Sequence, residues 1–240
     1  MPLTPSLPQK REGLTKLPQL TVQSPHLKLP SSNPVTNPHL GKHQLEPHWQ
    51  AHTPLAHHGA PLELLDWLLD PTSLTSRLQQ TCEGQFRVEP VSQLWQRPML
   101  DEAQALGMRP HERCFVREVR LLCNDRPWVF ARTVIPVRTL TGPRRHLSRL
   151  GTKPLGAVLF ADPSMCRSGI EIAKLFAGQP LFARATLGLP NQPEAIWGRR
   201  SAFFLNNKPL LVSEIFLPPI CPTNRIPKST QNSPKAIKVG

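Results

Sequence analysis

The sequence predicts an α+β fold: a single domain on antiparallel β-strands, interleaved with short helical hairpins. Three observations predict it. β-rich runs flank the turn cluster Asn124-Asp125-Arg126-Pro127, and two more flank Asn206-Asn207-Lys208-Pro209. Asn, Asp and Pro in such clusters favour the tight reversals that join antiparallel strands. Apolar residues also recur at helical spacing over 62–80 and 142–160, each stretch interrupted by a Pro-containing joint.

Composition places this domain within the 240 residues. Residues 1–60 hold ten of the 29 prolines and seven of the nine histidines, without apolar periodicity. Such a segment buries too little apolar surface to offset its ordering entropy, so 1–60 reads as a disordered Pro/His-rich extension. Residues 221–240 carry four Lys or Arg and no acid, and read as a basic disordered tail. The remaining stretch, 61–220, is long enough for a real core.

The net charge of +13 raises nucleic-acid binding as a candidate role. The tails lack arginine clusters, RGG repeats and interleaved aromatics, and no zinc-finger spacing occurs, so no nucleic-acid partner is expected. A modestly basic core also suits a small polyanionic substrate. The histidines of the extension are irregularly spaced and have no cysteine or acid cluster beside them, which reads as a tail, not a metal site. Cys82, Cys114, Cys123, Cys166 and Cys221 form no C-x-x-C pair and are odd in number. That argues against a disulfide framework or a zinc site and fits a reducing compartment. No run approaches the roughly 18 apolar residues of a membrane span, and the N-terminus has no apolar signal region. The expectation is a soluble, cytoplasmic monomer.

The first helix carries Leu62, Leu64, Leu65, Leu68 and Leu69 around Trp67. Asp70 then serves as N-cap and Pro71 as first residue of a second helix bearing Leu74 and Leu78. Residues 85–99 alternate in part and read as one or two edge strands, since Pro90 and Pro98 bar central ladder positions. Asp101 to Leu106 fits a short helix closed by Gly107, and the first β-hairpin follows. Thr141 caps a helix that Pro143 opens and Gly151 closes, with apolar Leu155 to Phe160 beyond Pro154. Ser168 to Ala177 fits helix and strand equally. Gly, Pro and Gln over 178–195 suggest a long surface loop. Arg200–Leu205 and Leu210–Leu217 close the chain as the second hairpin.

Side chains alternate across a strand. Phe115, Arg117, Val119 and Leu121 therefore share a face, where an unpaired guanidinium is costly. Arg132 interrupts the series Trp128, Phe130, Val134 in the same way, and Glu214 shares a face with Leu210, Val212 and Phe216. Two readings follow. Arg117 and Glu214 form a buried structural ion pair, or they line a pocket in which Arg117 grips a carboxylate with its fork and Glu214 meets a hydroxyl. The sequence offers no metal cluster, Gly-rich phosphate loop or G-x-S-x-G elbow.

A set of spaced motifs then carries a resemblance. These are Leu64-Leu65-Asp66-Trp67-Leu68-Leu69, Val116-Arg117-Glu118, Arg132-Thr133-Val134-Ile135-Pro136-Val137, Pro154-Leu155-Gly156, Trp197-Gly198-Arg199-Arg200-Ser201 and the run Lys208 to Pro218. In this order, over roughly 62–219, the chain resembles the chorismate lyase (chorismate–pyruvate lyase) family. The resemblance implies an antiparallel sheet whose internal pocket is covered by two helical-hairpin flaps. It implies cleavage of chorismate to 4-hydroxybenzoate and pyruvate, without metal or organic cofactor, at the entry to ubiquinone synthesis. By the same resemblance Arg117 holds the ring carboxylate, Glu214 meets the ring 4-oxygen and Leu155 offers a backbone contact. Leu74 stands where the first flap usually presents a methionine. Arg132 is a candidate for the enolpyruvyl carboxylate, unless it pairs with a protein acid. The chain departs from the family in its N-terminal extension, an insertion near 178–195 and the C-terminal tail. The rival reading is a non-catalytic domain that binds an aromatic carboxylate, as in transcription-regulator sensor domains, which resemble this fold. Residues 1–60 are too proline-broken to supply the helix-turn-helix such a regulator needs.

Overall fold

The computed structural model describes residues 45–52 and 59–220; the expected tail and most of the expected extension lie outside them. Both hairpin turns tighten to two residues. Asn124 and Asp125 have φ of 48° and 61°, and Asn206 and Asn207 have 47° and 63°. Left-handed backbone at both central positions is what a type I′ hairpin turn requires, and Asn and Asp tolerate it better than other side chains. The ladders therefore resume at once, and Pro127 and Pro209 lie in strands, not turns.

The first hairpin is β3 (Cys114–Cys123) and β4 (Arg126–Pro136); the last is β7 (Ala195–Leu205) and β8 (Lys208–Phe216). With β1 (Gln50–Ala51), β2 (Phe86–Gln96), β5 (Met165–Arg167) and β6 (Glu171–Phe176) they form an eight-stranded sheet in the order β1-β6-β7-β8-β4-β3-β2, with β5 also pairing β7. Every pairing is antiparallel. Residues 85–99 resolve as one edge strand, whose register slips between Pro90 and Ser92. An edge position with a bulge is where a strand proline is tolerated.

Helices cover both faces. On one lie α1 (Leu62–Leu69), α2 (Leu74–Thr81), the 3₁₀ helix Gly142–Arg149 and α4 (Leu155–Ala161). α1 and α2 press Trp67, Leu68, Leu74 and Leu78 onto Val119, Leu121, Val129 and Phe216. The 3₁₀ helix and α4 press Leu147, Leu155 and Leu159 onto Phe115, Ile135, Phe203 and Leu210. The other face is covered by α3 (Leu100–Ala105) and α5 (Pro180–Thr186).

Several expectations are corrected. α2 begins at Leu74, not Pro71. Its cap is Ser73, whose Oγ accepts the Ser76 N–H at 3.5 Å. Asp70 instead ends α1 and spends its carboxylate on the turn, accepting from the N–H and hydroxyl of Thr72 at 2.8 and 2.6 Å. Ser168 to Ala177 resolves as strand β6. Residues 178–195 contain α5, with Pro180 in its first turn and Leu181, Phe182 and Ala185 buried against the sheet. Its sequence signal was the helical spacing of those apolar residues directly after a proline.

Described structure also reaches upstream of Pro61. β1 pairs with β6, Trp49 Nε1 donates to Asp101 at 2.8 Å, and Glu46 accepts the N–H groups of Leu100 and Asp101 at 2.8 and 2.9 Å. Glu46 thus caps α3 from outside the helix. Finally, Cys82 at the end of α2 and Cys123 at the end of β3 form a disulfide. This overturns the expectation of unbridged thiols, because a separation of 41 residues leaves no spacing motif to read.

Candidate active site

Between the two apolar clusters under α1–α2 and under α4, the sheet carries a polar strip. Register accounts for it. Across β3, β4 and β8, Arg117 stands opposite Thr133, and Thr133 opposite Val212. One step along the same face Ala131 stands opposite Glu214, and Glu214 opposite Arg199 of β7. The strip floors a pocket whose apolar walls include Val119, Leu121 and Phe203. Leu74 and Leu155, each the first residue of its helix, line it from above, beside Arg117, Glu214, Arg167 and Arg199.

Arg117 is 2 % exposed, and no carboxylate pairs with it among the described residues. Its Nη2 donates to the carbonyls of Gly151 and Lys153, both at 2.9 Å, in the joint between the 3₁₀ helix and α4. Its Nε is buried without a partner. Burial pulls the guanidinium down to about 10, still fully charged at neutral pH. Glu214 is paired with a different arginine, accepting from Arg199 Nε at 2.5 Å. Arg199 Nη1 continues to the carbonyls of Trp67 and Asp70 at 2.8 and 2.6 Å. The Arg117–Glu214 ion pair therefore does not form, and the two groups face a shared pocket.

Arg132 is elsewhere. It lies on the opposite face of the sheet, gripping Glu102 at 2.6 and 3.0 Å and Glu118 at 2.6 Å. Arg184 also reaches Glu118, at 3.1 Å. A cation so fully matched is structural, and the candidate role for Arg132 toward a substrate is withdrawn. Two pocket arginines escaped the sequence reading. Arg199 stood inside the quoted Trp197–Ser201 motif, but its partner Glu214 was visible only once β7 and β8 were in register. Arg167 sits in a three-residue strand, too short for alternation to reveal a face.

Gly156, at the start of α4, lets the two helical hairpins meet closely. A Cβ there would stand 3.1 Å from Ser73 Oγ and 3.3 Å from Thr75 Oγ1 at the start of α2. Gly198 performs a similar service within the sheet, where a Cβ would fall 2.5 Å from Ile215 Cδ1. None of the described helices is long and apolar enough to cross a membrane.

A probable chorismate pyruvate-lyase of Nitrosomonas europaea is 43% identical over 171 residues, 70% of this chain and 96% of that protein. One from Nitrosomonas eutropha is 43% identical over 175 residues, covering 71% and 98%. One from Pseudomonas aeruginosa is 44% identical over 156 residues, covering 65% and 83%. Among solved structures, PhnF from Mycobacterium smegmatis aligns at a TM-score of 0.46 with 12% identity, over 62% of this chain and 64% of that one. The family model for chorismate lyase matches residues 46–226, from the Glu46 that caps α3 to beyond the last strand, and the chain belongs to the chorismate lyase family.

Proposed function

We propose that this protein eliminates pyruvate from chorismate to give 4-hydroxybenzoate, in the cytoplasm, as a monomer that supplies ubiquinone synthesis. The observation that carries the reading is Arg117: a buried cation without a carboxylate partner among the described residues, sharing a pocket with Glu214. A cation in that state suits an anionic ligand, and with only its Nη2 bonded to the protein it keeps part of its fork for a ligand carboxylate.

Chorismate carries a ring carboxylate at C1, a hydroxyl at C4 and an enolpyruvyl ether at C3. In the elimination the C4–H proton leaves and the C3–O bond breaks. The bonding pair from C4–H becomes the third ring double bond, and the ether electrons go to the departing enolpyruvate oxygen. Protonation of that enol gives pyruvate. The step is redox-neutral, and aromatisation drives it, so the protein's part is orientation and support of developing charge. Arg117 anchors the ring carboxylate. Glu214 accepts from the 4-hydroxyl while Arg199 fixes its carboxylate. Strands β3 and β8 are separated by β4, about 10 Å across the sheet at the usual strand spacing, which suits a ring with substituents at opposite ends. The two helical hairpins act as flaps. Leu155, at the first position of α4, offers a backbone N–H with no partner inside its own helix. Leu74 takes the matching place on α2, where its side chain closes the roof.

The test is chorismate turnover by purified protein, followed as 4-hydroxybenzoate formation, beside folded Arg117→Ala and Glu214→Ala variants. Turnover in wild type with loss of roughly a hundredfold or more in both variants is expected, as for removal of a buried charge-assisted contact. A folded wild type that binds 4-hydroxybenzoate without turning chorismate over would favour the sensor-like binding domain instead.

A further inference from the structure

We propose that Arg167 binds the enolpyruvyl carboxylate, so that the two carboxylates of chorismate are held by two different arginines on opposite sides of Glu214. The inference rests on the chorismate reading above and assigns the second half of the substrate.

The sheet sets out the pocket's charges in order: Arg117 on β3, Glu214 on β8, Arg199 on β7 and Arg167 on β5. A ring that spans Arg117 and Glu214 presents its 4-hydroxyl to Glu214. The ether is on the neighbouring carbon, so the enolpyruvyl carboxylate falls within a few bonds of that hydroxyl and on the side away from Arg117. Besides Arg117, three buried arginines could be considered for it, of which Arg200 is already paired with Asp101 and Glu171. Arg132 is excluded by its position on the opposite face, and Arg199 is committed to Glu214 and to the carbonyls of Trp67 and Asp70.

Arg167 remains. Its Nε donates to Ser201 Oγ at 3.1 Å and its Nη1 to the Pro71 carbonyl at 2.8 Å, which leaves Nη2 outside these bonds. Its guanidinium carbon lies 5.2 Å from the centre of the Phe203 ring, an apolar wall of the pocket. No carboxylate lies within ion-pair distance among the described residues; Glu214 and Asp70 act on it only at longer range. Burial and the neighbouring Arg199 both disfavour its charge, and a bound anion would offset both. The same carboxylate is attached to the carbon that bears the oxygen departing as the C3–O bond breaks. Arg167 thus also supports the charge that develops on the leaving enolpyruvate.

The experiment compares two ligands on the whole chain by calorimetry: 4-hydroxybenzoate, and 3-(carboxymethoxy)-4-hydroxybenzoate, which adds a carboxylate where the ether stands. Wild type is expected to favour the second by about tenfold, the worth of one charge-assisted contact. Arg167→Gln should abolish that preference and keep 4-hydroxybenzoate affinity within about threefold, while kcat/KM for chorismate falls by roughly a hundredfold. Arg167→Lys, which keeps the charge without the fork, should retain part of the preference. Equal loss of both ligands in Arg167→Gln would overturn the proposal in favour of a purely structural role through Pro71 and Ser201. So would a preference that survives that substitution. If Arg167→Gln does not fold, absence of any preference in wild type, or full preference in Arg167→Lys beside an undiminished kcat/KM, overturns it equally. Wild type that fails to turn over chorismate would instead sink the underlying lyase reading, since the ligand preference is read by binding alone.

Discussion

Arg132 and Arg117 interrupt neighbouring strands in the same way, and alternation sends their side chains to opposite faces of the sheet. Arg132 meets Glu102 and Glu118 there and is neutralised; Arg117 meets backbone carbonyls and keeps its charge unpaired. The sequence exposed the anomaly of each arginine but not its partners, because those come from elements distant in the chain. Asp101 makes the same point. Its Oδ2 accepts from Trp49 and from Arg200, both at 2.8 Å, while its Oδ1 is buried without a partner among the described residues. Burial first, then the nearby charges of Glu102 and Glu46, push its carboxyl up to about 6 despite Arg200. Arg200 is shared with Glu171 at 2.6 Å, so its pull is divided. A raised carboxyl binds its proton more tightly in the folded state. Its stabilising contribution is therefore complete below about 3.8 and is lost as pH rises through about 6. Relative to Asp101→Asn, wild type should lose up to about 3 kcal/mol of stability between pH 4 and 7, from roughly two units at 1.36 kcal/mol each. Melting curves of the two proteins across that range check this; parallel pH profiles would refute it.

Hairpins and helical hairpins were legible because their signals are local: Asn-Asp and Asn-Asn turns, proline joints, apolar spacing. Their fit to one another was not. The start of α2 and the start of α4 approach so closely that Gly156 has no room for a methyl group without displacing Ser73 Oγ and Thr75 Oγ1 by a few tenths of an ångström. Alanine favours a helix over glycine by about 1 kcal/mol, so Gly156→Ala should leave the melting temperature nearly unchanged or slightly raised. It should also hold the two flaps apart, raise KM for chorismate several-fold and speed release of 4-hydroxybenzoate. Stopped-flow release beside a melting curve separates the two effects. Unchanged release with a lowered melting temperature would mean that the contact serves folding alone. Leu74 tests the same roof from the other side, since Leu and Met differ little in volume and exchange at small cost in most cores.

The pocket's arginines also tie the sheet to its covering helices. Arg199 and Arg167 hold the joint between α1 and α2 through the carbonyls of Trp67, Asp70 and Pro71. Arg117 holds the joint before α4 through Gly151 and Lys153. The groups proposed to grip the substrate are thus the groups that seat the proposed flaps, so on that reading ligand binding and flap position share the same donors. The α1–α2 hairpin has one further tether, the Cys82–Cys123 disulfide, which joins the end of α2 to the end of β3. Closing a loop of that length removes unfolded-state entropy equivalent to about 4 kcal/mol in the chain-entropy model, and measured values usually fall below that. Reduction with a dithiol, or Cys82→Ser, should therefore lower the unfolding free energy by about 2–4 kcal/mol. It should act unevenly, because the bridge restrains α2 directly and α4 only through the shared core. Hydrogen exchange should quicken over 74–82 well before it quickens over 155–161. Equal acceleration of both segments would show that the bridge stabilises the whole fold without favouring the first flap, and no acceleration in either would show that packing of Leu74 and Leu78 alone seats α2.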